Sequence, residues 1–397
     1  MAEKNSLSLY VHIPFCVKKC QYCDFLSFGL GEGTAVPDVY IEALCREIGW
    51  YGQKDDYKHR SVVSIFFGGG TPSLMSEEQI QKVMTALLEN FCLQDDAEIS
   101  MEVNPGTATF EKLQCLQKAG INRLSFGLQS ANDNELELLG RIHNYDVFVQ
   151  SYRWARAAGF KNINIDLITA VPDQTKQSYL YTLEKVLALE PEHISAYSLI
   201  IEPDTPFEVL EAEGKLNLPD EEEERRMYAV TKEALAQKGY DRYEISNYAK
   251  PGYACRHNIG YWRRDDYLGL GLGASSLIGD TRFTNTTDMS VYTGVSESSD
   301  AFIYIEERCS DATWYSDVEK LEKQSAMEEF MFLGLRMIEG VCEKDFKESF
   351  DEEMMTIYGD VITKHTANGL LKREDGRICL TEQGLDLANQ VMSDFLM

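Results

Sequence analysis

Leu7-Ser-Leu-Tyr10-Val-His12-Ile-Pro14-Phe-Cys16-Val-Lys-Lys-Cys20-Gln-Tyr22-Cys23-Asp-Phe25 is the stretch on which the reading of this chain turns. Leu7 to Ile13 alternates in polarity and predicts a β-strand. Pro14 cannot donate to a strand ladder, so the strand stops there and the cysteines fall on the loop that follows. Cys16, Cys20 and Cys23 stand in C-x3-C-x2-C spacing, and a loop of that shape can aim three thiolates at one inorganic centre.

A cubane [4Fe-4S] cluster takes thiolates as its usual ligands, and three of them leave one of its four irons open. An open iron can chelate an amine together with a carboxylate. S-adenosylmethionine offers that pair at its methionine end. Electron transfer from the cluster could then break the carbon–sulfur bond and release an adenosyl radical. A zinc ion with a distant fourth ligand is the competing use of the same cysteines. Zinc sites more often match one C-x2-C pair with a second, and none stands beside this one. A chance run of core cysteines fits poorly with Lys18, Lys19 and Gln21, which make the loop polar.

C-x3-C-x2-C after a first strand resembles the radical S-adenosylmethionine signature. Its extension, from Tyr10-Val-His12-Ile-Pro14-Phe15-Cys16 to Tyr22-Cys23, is similar to the branch that holds oxygen-independent coproporphyrinogen oxidases and heme chaperones. The resemblance runs over nearly the whole chain.

Strand and helix patterns alternate behind the loop. Strands are expected at Val62–Phe67, Ala97–Val103, Asn122–Gln129, Asn162–Ile168 and His193–Ile201. Helices are expected at Val39–Gly52, Glu77–Phe91 with Ser76 as N-cap, Thr109–Ala119, Asp146–Ala158 and Thr175–Leu189. This alternation predicts an α/β fold with a parallel sheet. Six units are too few for a closed eight-stranded barrel. A partial (β/α)6 TIM-like barrel fits them, and it is the fold that the resemblance implies.

A helix is expected over Asp220–Lys238, its acidic head suited to the helix dipole, and a strand over Tyr240–Tyr248. Gly269-Leu-Gly-Leu-Gly-Ala-Ser-Ser predicts a tight turn that lines the cofactor cavity. Residues 1–290 are read as the barrel with its extension, 291–324 as a linker region, and 325–397 as a mainly helical, winged-helix-like C-terminal domain. The last contains a hairpin turning at Asp375-Gly376.

The resemblance assigns a site residue by residue. Tyr22 would place its ring against adenine, and Tyr10 would approach the methionine end of S-adenosylmethionine. Gly69, Gly70 and Thr71 would bring bare backbone to the amino-acid group; a tight strand-to-helix turn is the plain alternative. Glu102 would take the ammonium, Arg141 the carboxylate with its forked donors, and Asp166 the ribose hydroxyls. Gln129 ends the fourth strand beside them. His12 is read as a packed supporting residue. His257, in His257-Asn258-x-x-Tyr261-Trp262, resembles a motif of the heme chaperones. A histidine can ligate heme iron and aromatics can stack on a porphyrin. Equally, His257 and Asn258 could cap a turn while Trp262 packs in a core.

Three departures separate the two branches. Phe25 stands where the oxidases carry a fourth cysteine. Cys16 lies near the start of the sequence, without the oxidases' N-terminal cover. The His257 motif belongs to the chaperone side. The first reading is therefore a heme chaperone carrying a [4Fe-4S] cluster and S-adenosylmethionine, with heme and acceptor hemoproteins as partners. The second is an oxygen-independent coproporphyrinogen III oxidase.

Composition is consistent with either. A formal net charge of −27 over 397 residues disfavours nucleic acid and anionic lipid, and 44% hydrophobic residues suffice for a large core. No apolar run is long enough for a membrane span, which leaves only a peripheral membrane contact open. Cysteines outside the loop are scattered, including Cys45, Cys92, Cys115, Cys309, Cys342 and Cys379. They suit a reducing cytoplasm, as an oxygen-sensitive cluster does.

Overall fold

The structure is a computed structural model that describes residues 5–294 and 315–396. Six parallel strands run in sequence order: β1 (Ser6–Ile13), β2 (Ser61–Gly69), β3 (Cys92–Val103), β4 (Arg123–Gln129), β5 (Ile163–Thr169) and β6 (His193–Ser198). Further strands are β7 (Asp241–Arg242), β8 (Asn247–Ala249), β9 (Tyr267–Leu270), β10 (Ser275–Ile278), β11 (Thr281–Asn285) and β12 (Tyr315–Lys320). The whole sheet has the linear order β12-β11-β10-β9-β1-β2-β3-β4-β5-β6-β8-β7. It is an open, partial barrel, as expected. Beyond the six units, β9 adds a parallel strand on the free side of β1.

Alternation along these strands decides which face does what. One set of side chains is Leu7, Leu9 and Val11 on β1, Ile65 and Phe67 on β2, Ile99 and Met101 on β3, Leu124 and Phe126 on β4, and Ile163, Ile165 and Leu167 on β5. All of it is buried apolar core. Successive side chains of a strand point to opposite faces, so the intervening residues share the other face. They are Tyr10, Phe66, Ser100, Arg123, Ser125, Asn164, Asp166 and Ser195 in neighbouring register positions. Parallel sheets usually bury apolar side chains on both faces. Here one face packs on helices and the other is polar.

The helices supply that packing with amphipathic stripes. Asp38–Gly52 buries Tyr40, Ile41, Leu44, Ile48 and Tyr51 at helical spacing. Glu77–Asn90 opens on the expected Ser76 cap, whose side chain accepts from the Gln79 N–H at 3.1 Å. Helices Phe110–Lys118, Tyr145–Ala157 and Lys176–Leu187 match their expected spans to within a few residues.

Three expectations need correction. Tyr240–Tyr248 is not one strand: β7 and β8 form an antiparallel pair at the edge of the sheet. Helix Arg256–Trp262 lies where the sequence offered only a motif. The glycine stretch makes the tight turn between β9 and β10 but contributes nothing to the lining of the main cavity. There a Cβ on Gly271 would meet the His12 carbonyl oxygen at 2.6 Å. Much of the expected 291–324 linker, residues 295–314, lies outside the described residues, whereas β12 within it pairs with β11.

A second apolar cluster, around Met331, Phe346, Tyr358, Ile362, Ile378 and Phe395, forms the C-terminal unit. Its helices Lys323–Gly334, Glu343–Phe350 and Met354–Ala367 pack with a three-stranded sheet. The hairpin turns at Asp375 (φ 50°) and Gly376 (φ 73°), two left-handed positions as a two-residue turn of that type requires. Arg336 joins this unit to the barrel edge. It reaches the buried Glu244 at 3.4 Å and covers the Trp262 ring at 4.2 Å. No helix among the described residues is long and apolar enough to cross a membrane.

Candidate functional site

The polar face of the sheet opens into a cavity of about 570 Å³ at the C-terminal ends of β1 to β6. Parallel α/β folds carry their sites at that end, because successive loops converge there. Every residue assigned to the cluster or to S-adenosylmethionine lines it, and so does His257. Cys16, Cys20 and Cys23 come from the loop after β1, and Tyr10 and Tyr22 flank them. Gly69, Gly70 and Thr71 come from the end of β2, Glu102 from β3, Gln129 from β4 and Asp166 from β5. Arg141 and His257 complete the set.

The cysteine loop is tied to the strand ends by several contacts. Thr71 Oγ1 donates to Cys16 Sγ at 3.5 Å and accepts from Asn104 Nδ2 at 2.7 Å. One guanidinium nitrogen of Arg141 donates to Cys20 Sγ at 3.3 Å, and the other donates to the Gly127 carbonyl at 2.7 Å. His12 Nε2 meets the Leu26 carbonyl at 2.9 Å. That carbonyl can only accept, so Nε2 carries the proton and Nδ1 accepts from the Tyr10 hydroxyl at 3.0 Å. His12 is thus the packed support expected of it.

Gly69 and Gly70 are bare for the sake of this loop. A Cβ on Gly69 (φ +108°) would stand 2.4 Å from the His12 ring, and one on Gly70 would stand 2.7 Å from the Phe15 backbone. Both the tight turn and the close approach of backbone to the cavity are therefore present at once.

The cavity's charges are poised for a ligand that brings a cation and an anion. Burial, helped by the negative charge of Asp166, pushes the Glu102 carboxyl up to about 8; the Gly69 N–H that donates to it works the other way. Asp166 is likewise raised by burial, though Ser125 Oγ and Asn164 Nδ2 donate to it at 2.9 and 2.8 Å. Arg141 keeps a buried Nε–H with no partner among the described residues. Such a donor is costly unless an acceptor arrives. Burial pushes the Cys16 thiol up and the Cys23 thiol to about 11, with the charges of Arg141 and Lys19 respectively pulling the other way. The donor set thus suits a thiolate-held cluster and a ligand with an ammonium and a carboxylate: three sulfurs on one loop, two of them with hydrogen-bond donors, and in the same cavity a carboxyl and a guanidinium whose Nε–H is unsatisfied among the described residues.

For His257, read from the sequence as either a heme ligand or a turn cap, the structure gives an enclosed place. It is buried on the second position of helix Arg256–Trp262, with Nδ1 2.9 Å from Ser64 Oγ and Nε2 3.0 Å from the Tyr261 hydroxyl. Its ring stacks on Phe66 at 5.2 Å, and burial, aided by the nearby Arg123 charge, lowers its pKa to about 3. Both nitrogens are taken, so no lone pair is free for iron. Trp262 points to the C-terminal unit under Arg336 and is absent from the cavity lining.

Sequence reasoning missed several lining residues. Arg123, Ser125, Asn164 and Ser195 form the polar floor, and Asn104 bridges Thr71 to Arg141. Their signal was the polar residue at every second position of strands that read as buried.

Comparison with known proteins agrees with this geometry. Residues 10–186 match the Radical SAM superfamily, and residues 321–387 match the HemN C-terminal domain. The chain is 36% identical to the heme chaperone HemW of Bacillus subtilis, over 98% of this chain and 99% of that protein. It is 34% identical to HemW of Haemophilus influenzae, over 100% and 99%. Coproporphyrinogen III oxidase (HemN) from Escherichia coli, a radical SAM enzyme, superposes with a TM-score of 0.82 at 26% identity, over 99% of this chain and 90% of that one. The fold and site define a radical S-adenosylmethionine protein. Within that class, the chain belongs to the HemW family.

Proposed function

We propose that this protein binds heme and hands it to acceptor hemoproteins, while holding a [4Fe-4S] cluster and S-adenosylmethionine in the barrel cavity. The observation that carries this reading is the end-to-end match to heme chaperones, 36% identical over 394 residues. The identity to the oxidase is lower, 26%, and Phe25 stands where the resemblance to the oxidases implies a fourth cysteine, which favours the chaperone over the enzyme. A reducing cytoplasm suits such a protein.

Cys16, Cys20 and Cys23 would hold the cluster, which supplies electrons when bound. The chain's own groups would do the rest. Glu102 takes the ligand's ammonium, and the idle Nε–H of Arg141 takes its carboxylate. Asp166, already oriented by Ser125 and Asn164, takes the ribose hydroxyls. Tyr22 lies against the adenine. Gln129, at φ 72°, holds a left-handed backbone conformation at the strand end that an unconstrained residue avoids.

The coproporphyrinogen III oxidase reading keeps one supporting observation, the TM-score of 0.82. Two assays on anaerobically reconstituted protein separate the two. The expected result is about one hemin bound per chain with a Soret band, and no turnover of coproporphyrinogen III. Sustained formation of protoporphyrinogen would replace the chaperone with the oxidase.

A further inference from the structure

The inner cavity is polar, but its mouth is not. Phe25, two residues past the last loop cysteine, is 62% exposed, and Ile200, just past β6, is 66% exposed. Tyr197, at the end of β6, is 39% exposed. All three line the same cavity, with Leu199 half-buried between Tyr197 and Ile200. Large apolar side chains scattered singly over a surface are ordinary; gathered at the rim of one cavity they mark a binding surface. They come from the loop after the first strand and from the end of the sixth, so the rim joins the two ends of the six-stranded run.

Charge at the rim is distributed unevenly. Lys18 and Lys19 are exposed lining residues on the cysteine loop, and Asp24 and Glu202 also touch the rim. The other lining cations stand on the floor among acids and sulfurs, Arg123 buried and Arg141 half-buried. In a chain of net charge −27, an anion is drawn only where local cations stand, and at this mouth those are Lys18 and Lys19.

We propose that heme docks at this mouth, its macrocycle held between Phe25 and the Tyr197–Ile200 segment and its propionates directed at Lys18 and Lys19. This rests on the heme-binding reading above and names the surface that serves it. An aromatic ring offers the macrocycle a stacking face and Ile200 a dry edge. The paired lysines supply charge-assisted hydrogen bonds to carboxylates. A ligand so placed covers the cavity without entering its polar floor, and one edge stays open to an acceptor.

The test uses the full chain with its cluster reconstituted, titrated with hemin and with iron protoporphyrin dimethyl ester, followed by the Soret band. Ile200→Glu and Phe25→Glu place a carboxylate against the macrocycle, and each is expected to raise the hemin Kd roughly tenfold or more. Iron and sulfide content is read for both. Ile200→Glu is far in sequence from the cysteines and should leave that content intact. The Lys18→Glu/Lys19→Glu double variant should weaken hemin by a similar factor and leave the dimethyl ester unaffected. An unchanged hemin Kd in cluster-loaded Ile200→Glu overturns the docking surface while the heme-binding reading stands. Equal weakening of hemin and ester by the lysine variant overturns the propionate pairing. Failure of the unaltered protein to bind hemin overturns the heme-binding reading itself.

Discussion

Glu102 shows how burial prepares one side chain for one kind of partner. Held near 8, it is mostly protonated at pH 7, and an arriving ammonium would drive the proton off. Calorimetry in buffers of different ionisation enthalpy should show close to one proton released per S-adenosylmethionine bound at pH 7. Glu102→Gln should release none and bind about tenfold or more weakly, since a charged group of the ligand loses its counter-charge. Equal proton counts for both proteins would remove Glu102 from the ligand. At His257 the same logic runs the other way. With both nitrogens engaged and the ring stacked on Phe66, His257→Ala should lower stability by about 2–3 kcal/mol, by unpairing the Tyr261 hydroxyl, leaving Ser64 with Ser8 alone and opening a gap. The Soret position of bound heme should not move; a clear shift would restore the histidine as an iron ligand.

The junction of β2 with its loop is the element on which the cysteine loop rests. Gly69 has a positive φ and its missing Cβ makes room for the His12 imidazole, which in turn holds the Leu26 carbonyl. Gly69→Ala meets both a conformational penalty and a clash. It should destabilise the protein by more than about 1 kcal/mol. It should also lower the iron and sulfide retained after reconstitution, because the displaced imidazole releases the loop. An alanine variant with unaltered melting and a full cluster would show that His12 does not position the cysteines. Helix Arg256–Trp262 has an anchor of its own. Glu98 accepts from the backbone N–H groups of Arg256 and His257 at its start, 3.1 and 3.4 Å away, which anchors the helix to β3. Tyr261 then faces the cavity one turn past His257, and Trp262 faces the C-terminal unit.

Over the whole molecule, an acid at the core ties distant segments together. Glu47, fully buried on helix Asp38–Gly52, accepts from the Tyr292 hydroxyl at 2.6 Å, the Gly271 N–H at 2.8 Å and Asn285 Nδ2 at 2.7 Å. Burial outweighs these three bonds and lifts its pKa from an ordinary 4.5 to about 7. The folded chain therefore keeps a proton that the unfolded chain has lost between pH 4.5 and 7. The stability this represents is complete below about 4.5 and is lost as pH rises to 7, on the order of 3 kcal/mol in all. Denaturant titrations from pH 5 to 7.5 should show Glu47→Gln losing less stability with rising pH than the unaltered protein. Parallel pH profiles would refute the assignment.

The local sequence determined the six βα units, the Ser76 helix cap, the hairpin at Asp375-Gly376 and the thiol loop, because each depends on side-chain spacing within a few residues. Glu102, Gln129, Arg141 and Asp166 could also be singled out, through their motifs, and they meet in one cavity. The addition of β9 beside β1, the split of 240–249 into two edge strands and the polar face of the sheet were decided only in three dimensions. Register between strands, not the run of one strand, sets which alternate residues share a wall, and so Arg123, Ser125, Asn164 and Ser195 went unread. His257 shows the same division. Its motif could be seen in the chain, but whether its nitrogens are free depends on Ser64, 193 positions away, and on where one helical turn puts Tyr261. A side chain's chemistry belongs to its residue type. Its availability belongs to the neighbours that folding brings, and those are set by packing.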